Sequence, residues 1–157
     1  MKLGRFKLLA RRTIHDFDGQ PYLRRWTLVE TPWFKLMLHH ILRSDADREL
    51  HDHPYDFTSL ILWGGYLEHL EPPAGSELNV FRWREVGTLV RHQAEDLHRI
   101  ELPAGCTAWT LVFCGRRRRT WGFKTKFGWM PWERYVALRR QELMEVPERD
   151  LDTGRIA

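Results

Sequence analysis

The sequence predicts an all-β protein in a single domain, and three observations carry that expectation. Short apolar or alternating stretches recur along the chain, separated by turns that contain Gly, Pro, Asn or Asp. Aromatic residues make up 13% of the 157 residues, with eight Trp among them, and rings pack well on a pleated surface. A helical pattern is confined to one short C-terminal segment, Glu133 to Glu145, which is basic and weakly amphipathic. A chain of this length buries most of its apolar surface in one core. No internal repeat or second domain is visible, so residues 1–157 read as one unit with a barrel core from about 22 to 127.

The elements follow in order. Residues 1 to 20 are polar with scattered aromatics and end in the turn signal Asp18-Gly19. Tyr22 to Glu30 alternates as a strand, Thr31-Pro32 breaks it, and Trp33 to Leu42 resumes as a second. Arg43 to Arg48 is a charged loop leading to His51-Asp52-His53-Pro54-Tyr55-Asp56-Phe57. Phe57 to Leu67 is apolar on both faces, as in a strand enclosed between a barrel interior and a covering layer, and Gly64-Gly65 marks a turn or bulge in it. Glu71 to Glu77 is a loop; Leu78 to Arg84 and Thr88 to His92 are short strands joined at Val86-Gly87. His98, Ile100 and Leu102 alternate with Arg99 and Glu101, which puts His98 on the apolar, inward face. Thr107 to Cys114 carries Trp109, Leu111 and Phe113 on one face, Thr120 to Phe127 is a last strand, and the final residues read as frayed.

Composition excludes several functions. No stretch approaches the roughly 18 apolar residues of a membrane helix, and the start, Met-Lys-Leu-Gly-Arg-Phe-Lys, lacks the apolar core of a secretory signal. Cys106 and Cys114 cannot bridge each other locally, so free thiols and a cytoplasmic location are expected. A formal charge of +4 is only mildly basic, and much of it lies in Arg116 to Arg119. Clustered guanidiniums can bind phosphates. Here a solvated strand edge, or pairing with the chain's own acids, is the reading adopted, with no nucleic-acid partner. There is no phosphate-cradling glycine loop, no GxSxG elbow and no CxxC pair.

The chemistry points to histidine. In an extended strand His51 and His53 project to the same side. Two imidazoles held like that can share a metal ion, and His98 supplies a third. Three imidazoles leave open positions on the ion, as catalytic rather than closed structural sites do. The bland alternative is two strand-end histidines and one buried, hydrogen-bonded one. Asp56 is the nearest carboxylate for a fourth position; it has the wrong strand parity unless a bulge at Pro54 turns it inward, and its alternatives are a turn cap or an Arg partner.

These segments resemble the two halves of the cupin signature. His51 and His53 match its HxH pair, Gly64 or Gly65 its terminal Gly, and Gly87 and His98 the first Gly and the His of its second half. The Glu slot falls on Phe57 or Thr58, and Gln93 and Glu95 stand in the Pro and Gly slots. The run from His51 to Glu68, with Leu97-His98-Arg99-Ile100-Glu101-Leu102 and Trp121-Gly122-Phe123, is similar to small bacterial and phage-encoded cupins of unassigned reaction. The resemblance implies a double-stranded β-helix, a small jelly-roll barrel.

From this the expected ligands are His51, His53, His98 and Asp56, holding a divalent transition metal: Fe(II) first, with Zn, Ni or Mn as alternatives. Tyr55, Phe57, Trp63, Trp83 and Trp109 are expected to line the barrel as a substrate pocket, with His92 at its rim. Of His39 and His40 only one can face inward, and packing is the favoured role for both. Trp121, Phe123, Phe127, Trp129 and Trp132 form an aromatic cluster expected to cover a barrel end or a homodimer face. The leading function is an Fe(II)-dependent oxygenase acting on a small metabolite. A sugar-type isomerase or epimerase, and a non-catalytic ligand-binding module, are the alternatives.

Overall fold

A computed structural model describes residues 7–16, 18–45, 49–76 and 78–145. Two six-stranded sheets face each other. The first runs β1 (Lys7–His15), β2 (Pro21–Glu30), β3 (Lys35–Ile41), β10 (Ala108–Cys114), β5 (Phe57–Trp63) and β8 (Leu89–His92). The second runs β12 (Gly128–Pro131), β11 (Gly122–Thr125), β4 (Leu50–His51), β9 (His98–Glu101), β6 (Gly65–Leu70) and β7 (Val80–Glu85). All pairings are antiparallel, and sequence-distant strands lie side by side in both sheets. This is the jelly-roll arrangement expected of an all-β chain with one C-terminal helix, α1 (Trp132–Glu145).

The inner faces close around Leu23, Ile41, Ile61, Tyr66, Val90, Leu102 and Ala108, with Met37, Val112 and Cys114 as a second buried group. The chain leaves one sheet and enters the other at Gly64-Gly65. Gly64 has φ +74°, and a Cβ there would stand 2.2 Å from the Thr107 carbonyl oxygen. Only glycine lets the two backbones pass so close. Outside the second sheet, α1 packs Tyr135 on Phe123 with ring centroids 4.0 Å apart, and Trp132 stacks on Trp121 at 5.8 Å.

Several elements differ from expectation. Lys7–His15 is a strand, β1, where no regular element was predicted. It is a mostly exposed edge strand, so it carries little of the apolar alternation that marks strands in sequence. Gly128–Pro131 returns as β12, where the sequence indicates an aromatic cluster and no strand. The stretch read as one strand from Phe57 to Leu67 is two, β5 and β6, in different sheets. The two short strands expected to be joined at Val86-Gly87 are present as β7 and β8, and that turn carries the chain from the second sheet to the first. The frayed terminus expected beyond the helix lies outside the described residues.

The expected inner face of β10 is reversed. Ala108, Thr110, Val112 and Cys114 face inward, and Trp109, Leu111 and Phe113 face out. Trp109 stacks on Trp26 and His40, at 5.3 Å and 4.2 Å, in an outer aromatic layer. Alternation distinguishes two faces but not which is inside, and a narrow barrel takes the smaller side chains.

Candidate metal centre

Strand pairing builds the site. In the short ladder between β4 and β9, His51 and His98 are directly opposed, and side chains so placed on one face are in contact. His53 lies just beyond β4, its backbone N–H donated to the Ala94 carbonyl. Its ring reaches back so that the Nε2 atoms of His53 and His98 stand 2.7 Å apart. One donor nitrogen from each of His51, His53 and His98 lies within 4.8 Å of the others. Nitrogens bound at about 2.1 Å to one tetrahedral or octahedral ion stand roughly 3 Å apart, so little movement is needed to share one.

The protonation state suits a cation. Burial holds the His51 imidazole down at about 4 despite the nearby Asp45 carboxylate. Burial, then the neighbouring imidazoles His98 and His51, holds His53 well below its ordinary value. Both rings are therefore neutral near pH 7, the form that ligates metals.

His98 is oriented from behind. Buried Glu68, on β6, accepts from His98 Nδ1 at 2.7 Å and from His92 Nε2 at 2.8 Å on the same oxygen. Its other oxygen accepts from Arg84 Nε at 2.7 Å. Burial pushes the Glu68 carboxyl up, but the hydrogen bonds from His92 and His98 outweigh it and hold the group below the usual carboxylate range. The ionised carboxylate keeps a proton on Nδ1 of His98, which leaves the Nε2 lone pair facing His53 and His51. Glu68, His92 and His98 also sit close enough to hold an ion. With three donors already on its oxygens, however, Glu68 fits better as the brace of His98 than as a ligand.

The imidazoles open onto a cavity of about 330 Å³ inside the barrel. Its wall includes Tyr55, Phe57, Tyr66, Met37, Ile41 and Val112. The donor set fits a divalent metal: three imidazole nitrogens converge, one is fixed by a carboxylate, and the cavity leaves room for further ligands.

No protein-family model and no curated protein matches the sequence, so the likeness to known proteins is one of structure. A cupin-2 domain from Rhodospirillum rubrum superposes with a TM-score of 0.60, covering 76% of this chain and 78% of that one at 13% identity. The chain has the cupin fold. The cupin HppE, in its Fe(II) form with substrate, superposes at 0.54 with 13% identity, over 68% of this chain and 56% of its own. The polyketide cyclase RemF from Streptomyces resistomycificus superposes at 0.50 with 17% identity, over 64% of this chain and 69% of its own. The fold alone therefore selects no reaction.

Within this fold the expected site residues divide. His51, His53 and His98 come together, and Tyr55, Phe57 and His92 line the cavity beside them. Trp63 and Trp83 do not: they are 59% and 52% exposed on the outer surface, and Trp109 belongs to the outer layer. Asp56 is also outside. Its Oδ1 accepts from Arg118 at 2.7 Å and from the Ala94 backbone N–H at 2.8 Å, as a partly exposed loop tie. No bulge turns it inward. The carboxylate beside the site, Glu68, is not among the expected residues; its signal is inward parity with Tyr66 in β6.

Asp52, between the two histidines, is buried and accepts from Gly122 N and Arg119 Nη1, each at 2.6 Å, and from Trp129 Nε1 at 2.8 Å. It ties the histidine segment to the β11–β12 hairpin. Two members of the arginine run thus pair with the chain's own acids, Arg118 with Asp56 and Glu95, and Arg119 with Asp52.

Proposed function

We propose that this chain is a mononuclear metalloenzyme that oxidises a small organic molecule held in the barrel, with Fe(II) as its working ion and dioxygen as oxidant. One observation carries the reading: the imidazoles of His51, His53 and His98 converge at the wall of a cavity large enough for a small metabolite, with the nearest carboxylate, Glu68, hydrogen-bonded behind His98. Bound there, Fe(II) would supply the redox chemistry that no side chain here provides. The chain's own part is to hold and to shield. Glu68 fixes the His98 tautomer, His51 and His53 remain unprotonated, and Tyr55, Phe57 and Tyr66 keep bulk water from the reacting centre. The Fe(II) form of HppE supports iron in a barrel of this fold. An isomerase would need a general base free to approach the substrate, and Glu68 already carries three hydrogen bonds.

The test loads metal-free protein with Fe(II) or Zn(II) under anaerobic conditions. Each form should hold about one ion per chain, and His53→Ala should lose it. An ion that binds only the folded chain, at a thousand times its Kd, stabilises it by about 4 kcal/mol, so the melting temperature should rise with free metal. Across a panel of small metabolites the Fe(II) protein should consume oxygen while the Zn(II) protein is inert. Equal, oxygen-independent turnover by both forms would reject the oxygenase reading.

A further inference from the structure

Across the cavity from the imidazoles lies a charge that the metal reading does not use. Arg25, on β2, has the inward parity of Leu23, pairs in register with His39 on β3, and lines the same cavity. Its Nε donates to His39 Nε2 at 3.0 Å. Burial and then the guanidinium itself hold the His39 imidazole down at about 3, so that ring accepts the bond as a neutral group. Among the described residues no Asp or Glu forms an ion pair with Arg25. Its charge acts on His53, Tyr55 and Cys114, around the cavity wall. By contrast, the partly buried Arg84 meets Glu68 and Arg119 meets Asp52.

An uncompensated guanidinium facing an apolar chamber is costly unless an anion completes it. With Nε taken by His39, the terminal edge of Nη1 and Nη2 is the part left to offer, and that fork matches an oxyanion in bidentate fashion. One positive charge and a neutral histidine balance a monoanion. A phosphomonoester, close to a dianion at pH 7, would leave charge unbalanced.

We propose that Arg25, positioned by His39, is the anchor for the carboxylate of a small monocarboxylic substrate. The two sheets then have separate tasks: Arg25 and His39 on the first hold the carboxylate, and His51 and His98 on the second present the ion to the substrate's other end. This rests on the barrel interior being the substrate chamber, as the functional proposal has it, but not on the metal being bound.

The experiment titrates three probes, benzoate, its neutral isostere benzamide, and phenyl phosphate, into metal-free and Zn(II)-loaded protein by calorimetry. Benzoate should bind both forms and more tightly than either other probe. Arg25→Gln should weaken benzoate about tenfold or more, the loss of a charge-assisted bidentate pair, and leave benzamide within about twofold. Arg25→Lys, which keeps the charge without the fork, should fall between, and serves as the check if the Gln variant misfolds. Equal weakening of benzoate and benzamide would make Arg25 a structural residue and overturn the proposal. So would benzoate binding that needs Zn(II) and ignores Arg25, while leaving the metal reading intact. Arg25-dependent binding in a protein that takes up no metal would sink the metal reading and sustain this one. Tighter binding of phenyl phosphate would assign the anchor to phosphoryl substrates instead, and no binding of any probe would reject it.

Discussion

Glu68 shows how one side chain sets the properties of another. It is not one of the three converging imidazoles, yet His98 can present Nε2 to them only while Nδ1 is held by that carboxylate. Glu68→Gln keeps the shape and can still accept at its oxygen, but it removes the charge that favours the Nδ1–H tautomer. It also leaves Arg84 partly buried without its counter-charge. Metal affinity should drop roughly ten- to a hundred-fold, the usual effect of losing such an outer partner, while the ion-to-chain ratio at saturation stays the same. A chelator-competition titration reads this directly. An unchanged affinity would mean that Glu68 serves folding alone.

At the scale of elements, the histidine segment is held less by its own strand than by what crosses it. β4 is only two residues long, Leu50–His51, too short to fix two rings through ladder bonds. Asp52 supplies the missing restraint through Gly122, Arg119 and Trp129. Asp52→Ala removes a buried acceptor of three hydrogen bonds and strands the Arg119 charge, and should cost about 3 kcal/mol. Urea denaturation measures that loss. Because His51 and His53 flank Asp52, metal affinity should fall in the same variant, whereas Asp56→Ala, at a half-exposed surface tie, should shift stability by less than about 1 kcal/mol.

Across the whole molecule, burial of neutral histidines makes stability depend on pH. For His39 the ordinary value of 6.5 falls to about 3 in the fold, first through burial and then through Arg25. A base whose folded value is lowered binds fewer protons folded than unfolded, so its contribution is complete above about pH 6.5 and is lost as pH falls towards 3. Glu68, held low by its histidine partners, adds a loss in the same direction at lower pH. Metal-free protein should therefore be equally stable at pH 7 and 8 and weaken below about pH 6.5, with His39 alone contributing about 2 kcal/mol of loss by pH 5. His39→Gln should flatten that part of the urea-midpoint profile. A profile that is flat to pH 4.5 in the parent protein would show that His39 is not buried as described.

Much of this was legible in the chain because it depends on local order. Strand periodicity, turn residues, the His51-Asp52-His53 spacing and the parity of His98 are properties of neighbouring residues, so they predicted the all-β class and pointed to three imidazoles that the fold places close together. What the sequence did not contain was the partner across the barrel. Whether Trp109 or Thr110 faces inward depends on which sheet covers β10, and the barrel's width chose the smaller residues. Likewise, whether Asp56 or Glu68 supports a histidine depends on β6 lying beside β9 in one sheet. Nearness along the chain favoured Asp56. Nearness in space, created by pairing strands from distant parts of the sequence, selected Glu68, and the same long-range closure set Arg25 opposite the imidazoles.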